Sequence, residues 1–335
     1  MIARLRAAGA AVRKQVGSRF VIGSFSGLAR LGGATPFANP RLHGAEVLRD
    51  IPYLDDGDPL HTLDVYRPRS RSSDATARPL PVVLYMHGGA FQFLSKDTHW
   101  LMGLLFARHG YVVFNVNYRL APTHRYPAAL EDVSRAALWV RENAAKYGGD
   151  PSRIIATGDS AGANLAAALM VMTCYERPEP FARAIFDSGL RFSAVVPACG
   201  VHQVSDPERF QRRRKLRVWV ADRLHEVGEG YLPLGATRHE DAPLADPVVI
   251  LERGAPARPL PPVFAFAGTA DPLLDDTRRL KRALDAHGGR CEARYYRGGL
   301  HAFHALIWDP NARAAWKEKL RLLEQWLAEH PGAVG

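Results

Sequence analysis

The stretch Ala156-Thr157-Gly158-Asp159-Ser160-Ala161-Gly162-Ala163-Asn164 decides how the rest of the chain is read. It follows the apolar run Arg153-Ile154-Ile155-Ala156 and leads into Leu165-Ala166-Ala167-Ala168-Leu169-Met170, so a strand-like run turns helix-like at a serine between two glycines. A side chain displayed at such a turn sits on a very tight backbone, and small neighbours two positions either side let strand and helix approach closely. The turn also sets the Ala161 amide at a helix N-terminus, where it can stabilise negative charge. Five residues alone fit either a plain connector or a displayed nucleophile. The flanking strand and helix favour a nucleophile, Ser160.

Working outward, short apolar runs recur at 60–66, 82–86, 112–116, 154–157, 193–197, 263–267 and 292–296. Between them lie helix-patterned segments, including 128–146 behind Pro127, 161–172, 276–286 and 312–327. This alternation predicts an α/β fold with a mostly parallel central sheet flanked by helices. Two segments break the rhythm. Residues 1–45 look helical and precede the first strand signal, and residues from about 202 to 245 are charged and helix-patterned. An insertion of that size among C-terminal strand ends tends to cover a site. The expected organisation is an N-terminal helical cap segment, 1–45, and a catalytic domain, 46–335, carrying a cap insertion at about 202–245. The stretch 69–79, rich in Arg, Ser and Pro, reads as an exposed loop.

Composition excludes several classes. Of 335 residues, 47% are hydrophobic and 23% charged, an ordinary globular balance. The formal charge is +10, and its densest run, Arg212-Arg213-Arg214-Lys215 with Arg217, has few interleaved aromatics. That run reads as a solvated helix face, so no nucleic-acid partner is expected. Cys174, Cys199 and Cys291 are far apart and odd in number, which fits structural thiols in a reducing, cytoplasmic compartment. Near the N-terminus Arg4, Arg6, Arg13, Lys14 and Arg19 interrupt every apolar stretch, so neither a spanning helix nor a secretory leader is expected there. A helix packed over the body is preferred to one resting on a membrane surface.

A serine hydroxyl needs a base and an orienting carboxylate, which for such a turn follow in the order acid, then histidine. The run Pro262-Val263-Phe264-Ala265-Phe266-Ala267-Gly268 ends in Thr269-Ala270-Asp271-Pro272, placing Asp271 just past a strand's C-terminal end. Asp275 and Asp276 fall at a helix start, where capping accounts for them. Further on, Gly298-Gly299-Leu300-His301-Ala302-Phe303-His304 supplies two imidazoles in a loop. His301, first after the glycines, is preferred over His304. After the run at 82–86 come His87-Gly88-Gly89-Ala90-Phe91, glycines that leave amides open to a developing oxyanion.

With these pieces in order, the sequence resembles the hormone-sensitive lipase-like, HGGG-type branch of the α/β-hydrolase carboxylesterases. The resemblance rests on HGGAF at 87–91, NYRLAPTHRYPAALEDV at 117–133, GDSAGANLAAAL at 158–169, ADPLLDD at 270–276 and LHAFH at 300–304. It implies an α/β-hydrolase fold with a helical cap, no cofactor and no metal. It also implies a catalytic triad of Ser160, Asp271 and His301, with an oxyanion hole from Gly88, Gly89 and Ala161. Phe91, Phe93 and Trp100 beside that loop are candidates to line the substrate's approach. Three departures stand out: Ala90 and Ala302 where the family usually has glycine, and Thr123 where an acid is commoner. The implied activity is hydrolysis of short- to medium-chain acyl esters through an acyl-enzyme. The rivals are an arylformamidase-like amide hydrolase with the same triad, and a non-catalytic small-molecule receptor, which the intact triad argues against. The expected partners are a small-molecule ester and, at most, a second copy of the chain.

Overall fold

Short runs of Val, Ile, Phe and Ala, bounded by turn residues, fit strands in the middle of a sheet covered on both faces. In the computed structural model, which describes residues 29–69, 78–213, 215–236 and 238–329 together with Gly23 and Gly27, they form such strands. In chain order the strands are β1 (Ala45–Pro52), β2 (Thr62–Pro68), β3 (Leu80–Met86), β4 (Val112–Val116), β5 (Gly149–Asp159), β6 (Ala194–Ala198), β7 (Val263–Gly268) and β8 (Cys291–Tyr296). They form one sheet in the order β1-β2-β4-β3-β5-β6-β7-β8. β1 pairs with β2, and β2 with β4, antiparallel; every later pairing is parallel.

The helical residues at 23, 27 and 29–33 (α1) come first. They are followed by α2 (Trp100–Arg108), α3 (Ala128–Asn143), α4 (Ala161–Cys174), α5 (Pro180–Asp187), α6 (Arg209–Arg213), α7 (Val218–Tyr231), α8 (Pro247–Arg253), α9 (Leu274–Ala286) and α10 (Pro310–Glu329). Leu130 and Val133 of α3 and Leu165 and Leu169 of α4 share one core with Val82, Leu84 and Ile154 of the sheet. Phe106 of α2 and Leu323 and Trp326 of α10 share the other with Val83, Val113 and Phe264. The strand alternation that sends Val82 to one core and Val83 to the other is the period-2 pleat, here apolar on both faces. Among the described residues no helix is long and apolar enough to cross a membrane.

Each run expected as a strand is one, within a few residues. β1 was not foreseen: its outer residues are half-buried or exposed and include Glu46, Arg49 and Asp50, so it lacks a hydrophobic signature. Most of the 1–45 segment and of the 69–79 loop lie outside the described residues. The segment 202–245 contains α6 and α7, anchored at their ends. Arg125 donates from one guanidinium nitrogen to the carbonyls of Glu229 (2.7 Å), Gly230 (2.9 Å) and Leu232 (2.8 Å), closing the C-terminus of α7. The Tyr231 ring stacks on Phe91 at 3.8 Å and 8°. Arg212 of the basic run pairs with Asp206.

Candidate active site

Because β3 and β5 to β8 are parallel, the loops after their C-terminal ends gather at one edge of the sheet. The loop after β5 is the tightest. Strand β5 ends at Asp159 and α4 begins at Ala161, leaving Ser160 alone to make the turn at φ 55°, ψ −112°. A non-glycine residue held there costs about 1–3 kcal/mol and persists only where the surroundings impose it. Here they do. The Ser160 amide donates to Ala198 O at 2.9 Å, and a β-carbon on Gly158 or Gly162 would collide with the Met86 carbonyl. Alanine-rich α4, buried along its whole length, can therefore lie directly against β3 and β5.

Asp271 follows β7 and His301 follows β8, and the two loops are tied together. The Gly298 amide donates to Thr269 Oγ1 at 2.8 Å and Ala270 N to Gly299 O at 3.1 Å, while Gly268 is too close to Gly299 O to carry a side chain. Asp271 is completely buried. Its Oδ1 accepts the Leu273 amide at 2.8 Å and its Oδ2 accepts from His301 Nδ1 at 2.9 Å. Burial alone would push His301 below its ordinary value, but the charge and hydrogen bond of Asp271, with Asp159 behind, raise it. Among the described residues neither His301 Nε2 nor the Ser160 hydroxyl is engaged in a hydrogen bond, and both residues keep partial exposure. His304 is buried with its ring edge-on to Phe266, and burial with Lys319 nearby pushes it down to about 3. Of the two imidazoles, His301 is the one that meets Asp271.

The oxyanion loop departs from expectation at one position. Gly88 N donates to Asp159 Oδ1 at 3.2 Å, so this amide faces the interior of the protein. Gly89, at φ 120°, turns the chain so tightly that a β-carbon would overlap the Phe93 carbonyl, and Ala90 follows at φ 54°. Among the described residues no acceptor meets the amides of Gly89, Ala90 or Ala161. The expectation of an open amide at Gly88 is therefore corrected: the open amides of this loop are those of Gly89 and Ala90. Phe91 is also corrected. It is 0% exposed and stacked on Tyr231, so it fills the joint between loop and insertion and lines no approach. Trp100 donates from Nε1 to Ala29 O at 3.3 Å and lies edge-on to Phe37, which puts it beneath the N-terminal segment. Phe93 stays half-buried beside the loop.

Asp276 does more than cap α9. It is fully buried, its Oδ2 accepts the amide of His202 at 2.7 Å, and Arg209 bridges it with bonds of 3.0 Å and 2.5 Å. The cysteines are all free and buried. The Cys199 sulfur lies within 4.8 Å of ligand atoms of Asp271 and His301. Burial first, then the charges of Asp271 and Asp159, push its thiol well above the usual value, so it stays protonated and packs as a neutral group. With the Asp271–His301 pair already joined, this trio suits a hydrogen-bonded dyad better than a metal.

A serine on a strand-to-helix elbow, with an acid–imidazole pair carried by later strands at the same edge of a parallel sheet, is the site architecture of α/β hydrolases. The chain belongs to that family, in its hormone-sensitive lipase-like branch: the family's model, described as the alpha/beta hydrolase fold, matches residues 83–305. It is 34% identical over 211 residues to a protein named carboxylesterase NlhH from Mycobacterium tuberculosis. That match covers 62% of this chain and 62% of the relative, so the chain spans less than two thirds of the relative's length. An esterase of Pyrobaculum calidifontis superposes with a TM-score of 0.69 at 26% identity, over 94% of this chain and 97% of the other. The esterase LipW of Mycobacterium marinum shares the fold, with a TM-score of 0.69 at 24% identity over 92% and 90%.

Proposed function

We propose that this protein is a serine carboxylesterase acting on short- to medium-chain acyl esters. The observation that carries the reading is the conjunction at one sheet edge of Ser160, strained at φ 55°, with the Asp271–His301 pair at 2.9 Å. His301 Nε2 takes the proton of the Ser160 hydroxyl as its oxygen attacks the ester carbonyl. Asp271 holds the proton on Nδ1 and stabilises the imidazolium. The oxyanion is received by the amides of Gly89, Ala90 and Ala161, the last at the N-terminus of α4. His301 then protonates the leaving alcohol, and water activated by the same imidazole cleaves the acyl-enzyme. The carboxylesterase named above, with its 34% identity, supports ester over amide chemistry. In this reading the insertion bearing α6 and α7 is the cap that sets acyl length, and the free cysteines suit the cytoplasm.

The test is hydrolysis of a p-nitrophenyl acyl series, acetate to long chains, by wild type and Ser160→Ala. Removing the nucleophile should lower kcat on the order of 10⁴-fold or more. Wild-type turnover that peaks on short chains and vanishes in the variant supports the reading. Equal activity of the two proteins refutes it.

A further inference from the structure

Behind the oxyanion loop lies a charged pair that the steps above leave unused. Asp159, between Gly158 and Ser160, points its carboxylate away from the serine. Oδ1 accepts from the Tyr85 hydroxyl at 2.7 Å and the Gly88 amide at 3.2 Å, and lies 3.4 Å from His99 Nε2. Oδ2 packs on the Cα of Gly88, where a β-carbon would strike it.

The charge on His99 follows from its partners. Nε2 faces a carboxylate, and Nδ1 faces Ser95 O at 3.1 Å and Thr98 Oγ1 at 2.9 Å. The Thr98 hydroxyl already gives its hydrogen to Ser95 O at 2.7 Å and accepts the Ser95 amide at 3.0 Å. Both ring nitrogens therefore meet acceptors, and only the imidazolium can serve both. Although burial disfavours the cation, Asp159 outweighs it and His99 is raised above its ordinary value. The neighbouring imidazoles, His87 and His304, are pushed by burial to about 3 and carry no charge at neutral pH. Lys319 lies on the other side, its Nζ 3.5 Å over the Trp316 ring.

We propose that Asp159 and His99 are positioning residues: their largely buried ion pair pins the Gly88 amide inward and thereby turns the amides of Gly89 and Ala90 toward the oxyanion. With the first of three successive amides held by Asp159, the next two are the ones left without an acceptor. Fixing the first inward dictates where the next two face. His99 has a second effect, since a bare Asp159 carboxylate one residue from Ser160 would oppose the negative charge that develops in the transition state. The proposal rests on the esterase reading.

The experiment measures kcat and KM on p-nitrophenyl butyrate, and inhibition by an alkyl trifluoromethyl ketone, whose serine adduct carries an oxyanion. The proteins are wild type, His99→Gln, Asp159→Asn, the double variant, the milder Tyr85→Phe and Ser160→Ala. Disordering one donor pair should lower kcat on the order of 10–100-fold, with KM little changed and ketone affinity falling in step with kcat/KM. The double variant should be no worse than the poorer single, because both changes break one pair. Tyr85→Phe removes only the 2.7 Å bond and keeps the packing, so it should show the same pattern at smaller amplitude even if the charged variants fold poorly. Additive losses, or ketone affinity unchanged while kcat falls, would overturn the positioning role. Turnover by Ser160→Ala would instead overturn the esterase reading and this proposal with it.

Discussion

Replacing Asp271 by asparagine isolates what its carboxylate does, because the structure dictates how the amide must sit. Oδ1 receives the Leu273 amide at 2.8 Å and is buried, so the asparagine oxygen must stay there or leave a buried N–H unpaired. Its NH₂ then faces His301 Nδ1, 2.9 Å away in the wild type. An NH₂ can only donate, so Nδ1 becomes the acceptor and the ring proton moves to Nε2. An imidazole protonated on Nε2 cannot take the proton of Ser160. The expected loss in kcat is about 10⁴-fold at neutral pH, the scale of enforcing the wrong tautomer in a serine triad, or about 5 kcal/mol of barrier. The assay is steady-state hydrolysis of p-nitrophenyl butyrate with thermal unfolding measured alongside. KM should stay within a few-fold and the fold should remain intact, since the Leu273 bond is kept. Activity within tenfold of wild type would refute the argument, showing that Asp271 does not fix the tautomer.

Three further outcomes are expected. The His301 imidazole must be neutral to act as base, and Asp271 raises it above 6.5, so kcat/KM should rise with pH through a midpoint above 6.5. The same raised value stabilises the fold fully below the unfolded-state value and loses that contribution as pH rises through the folded one; a midpoint below 6.5 in the pH–rate profile would contradict both statements. Tyr231 is wholly buried and its hydroxyl meets no partner among the described residues, so Tyr231→Phe should stabilise by about 1 kcal/mol, whereas Tyr231→Ala should cost about 3–5 kcal/mol. Denaturant unfolding distinguishes these, and a destabilised Phe variant would show that the hydroxyl is bonded. Ala302 sits at φ 56°, where a left-handed alanine costs about 1–2 kcal/mol and glycine's entropy returns about half of that. Ala302→Gly should therefore raise stability by about 0.5–1 kcal/mol and Tm by about 1–3 °C without changing kcat; a lowered Tm would be the contrary result.

What could be read in the sequence was whatever one local stretch determines. The strand-forming runs, the elbow at Ser160 and the loop positions of Asp271 and His301 each announce themselves through neighbours in the chain. What could not be read depends on partners far away. Gly88 looks like an open donor until the fold brings Asp159 to its amide, 71 residues along. Phe91 looks like pocket lining until Tyr231 stacks on it. His99 lies in no recognisable motif, and only its two acceptors reveal its charge. α2 was missed for a different reason: Trp-Leu-Met-Gly-Leu-Leu-Phe-Ala-Arg is apolar on nearly every side and shows no helical stripe. The edge strand β1 failed in the opposite way, being too polar to stand out.

The joint between Phe91 and Tyr231, reinforced by the Gln92 amide on Glu226 O at 3.0 Å, makes the insertion and the oxyanion loop a single mechanical part. The segment bearing α7 is therefore not an independent part of the fold. A segment without an aromatic ring at position 231 would leave Phe91 without its stacked partner, next to the positive-φ residues Gly89 and Ala90. Any replacement of α7 therefore has to keep the contacts made by Phe91, Gln92 and Arg125.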